Sequence, residues 1–189
     1  MKYSLITLRK KNIKDFAKER NMLLRQTKDN WVFFVDSDEM MSPKLNKEIG
    51  DLNPTVFNGF YVKRKNYFLG QYVGTDNIIR LGKKGGGNWT RGVHETWKIK
   101  GPIGLLNNCL IHNTASSLKD YVSKINFYST LHSKENKKEG KSVSVAKIVV
   151  YPSLKFFVEL AKSKNVVFSI MQSFHSFLSW SKQWESKNL

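Results

Sequence analysis

Apolar side chains at Ile13, Phe16, Ala17, Leu23 and Leu24 recur at helical intervals, with Lys, Glu and Arg between them, and predict an amphipathic helix over residues 13–27. The polar stretch 27–30 ends it. Residues 31–35, WVFFV, form an uninterrupted apolar run of strand length, bounded by that turn and by acids. Such a run suits a strand buried on both faces, as in a parallel sheet. Helix, turn and buried strand together make half of a crossover unit. Over residues 58–68 and again over 77–81, short β-prone segments alternate with Gly and Asn, which predicts further strands and loops. Residues 85–87 read as a flexible loop, because they lack the glycine spacing and following helix of a phosphate-binding fingerprint. Beyond His112 the pattern changes. Residues 117–135 read as a helix, 137–141 as a charged linker and 145–184 as mostly helical, with breaks at Pro152 and near 162–165. There is no internal repeat.

Composition narrows the class. Of the 189 residues, 40% are hydrophobic and 13% aromatic, enough for one core with a small appendage and too much for intrinsic disorder. The formal net charge of +17 calls for anionic partners: nucleic acid, phospholipid headgroups or a phosphorylated substrate. A single cysteine, Cys109, excludes an internal disulfide and a Cys-rich zinc site, which fits a reducing cytoplasm. Between Asn108 and Leu110 it reads as a buried strand residue. Arg9, Lys10, Lys11 and Lys14 follow a short apolar stretch, so no signal peptide is expected to open the chain. A membrane span needs about 20 consecutive apolar residues. The best candidate, 166–180, is short and contains Gln172 and His175, so any membrane contact is expected to be peripheral.

The chemistry is expected where the buried strand stops. Asp36, Ser37, Asp38 and Glu39 follow Val35 directly, and in open α/β sheets ligands gather at the carboxyl ends of strands. Two Asp at i and i+2 on an extended chain share a side and together hold a hard divalent cation through oxygen. Such a cation neutralises a departing nucleoside diphosphate. The other reading is a helix N-cap at Asp38 or Ser42, ahead of the helix that Pro43 starts. Ser42 with Pro43 looks like that cap, which leaves Asp36 and Asp38 without a structural task.

The stretch FAKERNMLLRQTKDNWVFFVDSDE, residues 16–39, resembles the helix, strand and Asp-x-Asp segment of family 2 glycosyltransferases with the GT-A fold. NYFLGQYV, RLGKKGG, VHE and LIHNTASSLKDYVSKIN, in that order downstream, resemble the bacterial subgroup that adds hexoses, often glucose, to lipopolysaccharide core and related surface glycans. The resemblance implies a partial GT-A, Rossmann-like mixed sheet with flanking helices over residues 1–115, followed by a helical C-terminal region over 116–189. It implies an inverting transferase that moves a hexose from a nucleotide-diphosphate sugar to a cell-surface glycan or lipid-linked acceptor. Asp36 and Asp38 become the motif for metal, Mg2+ or Mn2+, and diphosphate; Arg20 and Asn21 lie near the nucleotide sugar. Glu95 becomes the general base, taking the acceptor hydroxyl proton as that oxygen attacks the anomeric carbon, with no covalent intermediate. His94 beside it is a positioning residue. His112 closes the metal shell or is a strand-end histidine satisfied by backbone. Arg80 and Arg91 meet donor phosphate through their forked guanidiniums or pair with surface acids. Without the resemblance, Arg20 reads as a solvated helix residue.

The pattern also departs from that family. Members carry a strand, helix and second strand for the nucleotide base upstream of the helix at Asp15, where this chain has only residues 1–14. The base-binding half is therefore expected to be truncated, to come from a separate chain, or to be lost together with activity. Gly82 and Lys83 replace the apolar-aromatic and Arg pattern usual after the Arg-Leu pair. The tail, rich in Phe, Leu, Val and Trp with Lys155, Lys162, Lys164 and Lys182, predicts basic amphipathic helices on an anionic membrane at the cytoplasmic inner face, with Trp180 and Trp184 on one helical side. Its alternative is simple packing on the core. Two rival functions stand beside the transferase. One is a noncatalytic scaffold of a membrane glycan complex. The other is a nucleic-acid binder, for which no recognition motif is present and which leaves the Asp-x-Asp segment unexplained, so no specific nucleic acid is expected.

Overall fold

The computed structural model describes residues 1–8 and 13–188; Arg9, Lys10 and Lys11 lie outside the described residues. The elements in order are β1 (Ser4–Leu8), α1 (Phe16–Gln26), β2 (Trp31–Asp36), β3 (Glu39–Met41), α2 (Pro43–Asp51), β4 (Gly59–Phe68), β5 (Gln71–Lys83), β6 (Gly87–Thr90), β7 (Thr96–Ile99), β8 (Ile103–Ala115), α3 (Leu118–Lys138), α4 (Val145–Ser163) and α5 (Val166–Asn188). The fold is mixed α/β with a helical C-terminal region, consistent with a partial Rossmann-like arrangement. Six strands form one sheet in the order β1-β2-β5-β4-β8-β3, and β6 and β7 form a separate pair. The chain divides into two compact units, Met1–Asn66 with Thr75–Asn113 and Tyr67–Gly74 with Thr114–Leu189.

In the first unit β1 and β2 are parallel, with Leu8 opposite Asp36, and α1 lies between them in sequence. The crossover expected from α1 and β2 is thus completed by β1, a strand the apolar pattern did not single out. Burial of β2 on both faces follows from its alternation. Trp31, Phe33 and Val35 enter a core with Leu45 and Ile49 of α2, and Val32 and Phe34 enter a second core with Ala17 and Leu24 of α1 and with Trp89 and Trp97. Asp15 caps α1 by accepting from the Lys18 N–H at 2.9 Å, and Ser42 caps α2 by accepting from the Leu45 N–H at 3.1 Å. Pro43 opens α2, where a missing N–H costs nothing. Gly82, which interrupts the expected pattern, has a steric cause: a Cβ there would sit 2.8 Å from the Trp97 ring.

The second unit is helical. Phe68 and Val73, flanking the Leu69-Gly70 turn whose φ angles are 49° and 77°, pack with Tyr121, Ile125 and Phe168. Ser117 caps α3, accepting from the Asp120 N–H at 3.1 Å, and the helix runs to Lys138, into the stretch expected to be a linker. No break occurs at Pro152, which lies buried inside α4. A proline there removes the donor that would bond the Ile148 carbonyl; from α5 the Ser173 hydroxyl donates to the Pro152 carbonyl at 2.8 Å and ties this turn of α4 to α5. The expected second break is real: Lys164 has φ 53°, and Asn165 Oδ1 accepts from the Phe168 N–H at 2.9 Å as α5 begins. Two tail residues turn inward, contrary to expectation. Trp180 packs against Tyr151 with ring centroids 5.0 Å apart, and the Lys182 ammonium donates to Asn126, Ser129 and Thr130 of α3.

Candidate functional site

Arg20 shares the buried side of α1 with Ala17 and Leu24, and only 1% of it is exposed. The solvated reading is therefore wrong. Its guanidinium lies over the rings of Trp89, at 4.7 Å, and Phe34, at 5.4 Å. Along its edge, Nη2 donates to Asp36 Oδ1 at 2.5 Å and Nε to Glu95 Oε1 at 2.9 Å. A buried guanidinium is tolerated only when paired in this way. Residues 20, 36 and 95 are thus gathered around one cation.

The pairing continues across the sheet. Arg80 of β5 donates through Nη2 to Asp36 Oδ2 at 2.5 Å and to Glu39 Oε1 at 2.7 Å. Glu39 Oε2 accepts from the Asp36 N–H at 3.1 Å. Arg64 of β4 reaches Glu39 Oε1 at 3.1 Å and grips Asp76 with two donors, at 3.1 and 2.7 Å. Acid and base alternate from Glu95 through Arg20, Asp36, Arg80, Glu39 and Arg64 to Asp76. Burial pushes the Asp36 carboxyl up, but Arg80 and Arg20 outweigh it and hold it below the ordinary carboxylate value. Asp76 is lowered in the same way, burial being outweighed by Arg64. For Arg80 burial opposes the charge, and Asp36 and Glu39 prevail, so its pKa rises.

Asp38 lies apart from this chain. The backbone turns at Ser37 and Asp38 between β2 and β3, so the two acids are not i and i+2 of one extended strand. Asp38 instead faces His112 of β8, its Oδ2 lying 3.5 Å from Nε2. β3 pairs with β8 with Glu39 opposite His112, and the Asn113 N–H donates to the Asp38 carbonyl at 2.9 Å. Asn66 donates to Asp76 Oδ1 at 3.1 Å, a partner that only accepts, and this directs Asn66 Oδ1 toward His112 Nδ1 at 2.7 Å. His112 thus donates through Nδ1 to Asn66 and turns Nε2 toward Asp38. A carboxylate oxygen with an imidazole nitrogen is a donor set that suits a divalent transition cation. Asp36 fits less well, because each of its oxygens already accepts from a guanidinium.

The remaining expected residues divide. Asn21 does not join the network: Nδ2 donates to the Trp89 carbonyl at 2.8 Å, and Oδ1 accepts from the Trp89 N–H at 2.9 Å, tying α1 to β6. Arg91 and His94 sit in the connection between β6 and β7 with φ of 73° and 52°, a left-handed conformation costly for residues with a Cβ. That connection delivers Glu95 to Arg20 and is pinned where the Phe16 N–H donates to the Gly92 carbonyl at 2.9 Å. Cys109 is on β8 as expected but only half-buried. Glu39, Arg64, Asn66 and Asp76 were not assigned to the site from sequence. The available signal was charge within apolar β-prone segments, since a charged side chain inside a sheet needs a partner.

No protein-family model matches the chain. Among curated proteins it is similar to the lipopolysaccharide core biosynthesis glycosyltransferase LpsC of Rhizobium meliloti (strain 1021), 26% identical over 155 residues that cover 75% of this chain and 56% of that protein. It is similar to an uncharacterized glycosyltransferase of Rickettsia conorii, 26% identical over 184 residues covering 84% of this chain and 65% of that protein. A further uncharacterized glycosyltransferase, from Rickettsia felis, is 24% identical over 184 residues with the same coverage, 84% and 65%. The chain spans between about half and two thirds of the length of these relatives. What they have in common in their names is glycosyl transfer, one of them in lipopolysaccharide core assembly.

Proposed function

We propose that the chain is the metal-site and acceptor-side part of an inverting family 2 glycosyltransferase of the GT-A type, which transfers a hexose from a nucleotide-diphosphate sugar to a surface glycan or lipid-linked acceptor. The observation that carries this reading is the gathering of Asp36 and Glu95 around Arg20, beside a sheet end where Asp38 meets His112. The similarity to glycosyltransferases supports it at the level of the reaction.

Glu95 is the base. Arg20 holds its Oε1, and Oε2, with no hydrogen bond among the described residues, takes the acceptor proton. Arg20 and Arg80 bear positive charge toward the leaving diphosphate while Asp36 fixes their orientation. Asp38 and His112 hold Mg2+ or Mn2+, which when bound neutralises diphosphate charge. Arg91 adds a guanidinium from the strained connection, and Asn21 acts by fixing α1 rather than by touching the sugar.

Titration with manganese and a panel of nucleotide sugars, read by calorimetry and by transfer to a glycan acceptor, tests the proposal. Asp38→Ala should abolish the metal-dependent part of donor binding with the circular dichroism unchanged. Glu95→Gln should retain donor binding and lower transfer by about 10²–10⁴-fold. Normal donor binding by Asp38→Ala would refute the metal assignment.

A further inference from the structure

We propose that the outer side of α4 and α5 is a docking surface for an anionic phospholipid bilayer, on which both helices lie in the plane of the interface. This inference does not depend on the transfer reaction. It starts from a partial inversion of ordinary packing, beside the buried apolar cluster of Phe68, Val73, Tyr121, Ile125 and Phe168. Ser129, Ser133, Asn136, Ser169, Ser179 and Gln183 are buried in the second unit, whereas Val149, Leu154, Phe157, Ile170, Phe174 and Phe177 stand outside. Phe157 keeps 65% of its surface exposed and Ile170 51%, values that place both rings and branches in the solvent rather than at a partly covered margin. On α4 the exposed Val150, Leu154 and Phe157 fall at i, i+4 and i+7; on α5 Ile170, Phe174 and Phe177 repeat that spacing. Each helix therefore presents an apolar stripe outward. Exposed apolar stripes of this kind mark interaction sites.

The interior of the unit fits an apolar exterior. The Ser169 and Ser179 hydroxyls donate one turn back, to the Asn165 carbonyl at 2.7 Å and the His175 carbonyl at 2.8 Å, so neither donor is stranded by burial. Small polar residues inward with aliphatic and aromatic side chains outward is the arrangement helices adopt when their surroundings are lipid. Among the described residues no helix is long and apolar enough to cross a membrane, so the contact proposed is in-plane.

Charge selects the occupant. With a formal net charge of +17, two copies meeting through this side would bring like charge together, whereas an anionic headgroup layer would take that charge up. Lys162 and Lys164 are exposed where α4 gives way to α5, and Glu159, the one acid of α4, is neutralised by Lys155 at 2.7 Å.

Flotation of the full chain with phosphatidylcholine vesicles, with and without phosphatidylglycerol, tests this. The chain should float with the anionic vesicles and much less with the neutral ones. Phe157→Gln combined with Ile170→Gln preserves net charge and should weaken binding by at least about tenfold. Lys162→Gln and Lys164→Asn should each weaken it by about fivefold. Circular dichroism checks that the helices persist, and Leu154→Gln with Phe174→Gln serves as a second apolar pair should the first misfold. Undiminished binding by both apolar pairs would reduce the effect to bulk charge attraction and overturn the proposal. So would failure to float with anionic vesicles, including the case in which sedimentation shows a dimer that the glutamine substitutions dissolve.

Discussion

The end of β2 and the outer side of α4 and α5 dispose of their polar groups in opposite ways. At β2 the charges are inside: Arg20, Glu39 and Arg80 are all buried, each held by oppositely charged neighbours. Along α5 Ser169, Ser179 and Gln183 are inside, while on α4 and α5 Val150, Leu154, Phe157, Ile170, Phe174 and Phe177 are out. Neither arrangement is what burial of greasy surface alone would select. Buried ion pairs roughly break even against their desolvation, so the network at β2 adds little net stability. What it supplies is position: Asp36 and Glu95 are fixed about one guanidinium. The outward apolar stripes likewise add nothing to the isolated unit. On the two proposals made above, each departure marks a surface whose complement lies outside the chain, an anion with its sugar in one case and a bilayer in the other.

The contrast is most severely tested at Arg20. Arg20→Met fits the same volume between Trp89 and Phe34 but leaves Glu95 without its cation and Asp36 with only Arg80. A loss of about 3–5 kcal/mol is expected, because breaking a buried pair strands a charge. Urea unfolding should show a lower midpoint at unchanged slope. Near-UV circular dichroism of Trp89 and Trp97, stacked 5.1 Å apart, reports on this core. A loss below about 1 kcal/mol would mean that the network behaves like an exposed salt bridge.

The two units should also fail at opposite ends of the pH scale. Asp36 and Asp76 have folded-state pKa values held below the ordinary Asp value. Their contribution is present above about pH 4 and is lost as pH falls through the lowered values, when the unfolded chain binds protons first at higher pH. Tyr121 in the second unit runs the other way. Burial, reinforced by Glu159, pushes its phenol up to about 12 although Gln172 donates to its oxygen at 2.7 Å. Its contribution, roughly 2–3 kcal/mol, is intact below about pH 10 and fades as pH rises toward 12. Tyr121→Phe should flatten that alkaline limb and leave the acid limb unchanged.

The sequence carried whatever is encoded by local pattern. The α1 periodicity, the Ser42-Pro43 start of α2, the doubly buried β2 and the stop near Lys164 all follow from residues within one element. Three features escaped because their causes are distant. β1 is recognisable as a strand only once β2 pairs with it. Pro152 lies inside an unbroken α4 packed against α5, where Ser173, 21 residues away, bonds its carbonyl. In the site, Asp36, Asp38, Glu95, Arg20, Arg80 and His112 were named, but their grouping was not. Expectation joined Asp36 with Asp38 as one metal pair, whereas the turn at Ser37 gives Asp36 to two arginines and Asp38 to His112. Arg64 and Asp76 were missed because partners 12 residues apart on neighbouring strands leave no motif.

The smallest effect expected is as informative as the largest. Phe157→Gln alone should change the unfolding free energy by no more than about 0.5 kcal/mol, because the side chain removed touches mainly solvent. Phe168, also on the apolar account of its helix pair but turned inward against Phe68 at 5.3 Å, is the control in which truncation carries the ordinary cost of a core cavity. A stability neutral at Phe157 combined with weakened vesicle binding separates recognition from folding in the same side chain. A clear loss of stability at Phe157 would mean that this ring packs against protein in solution, and the outward stripe on α4 would then be part of a core.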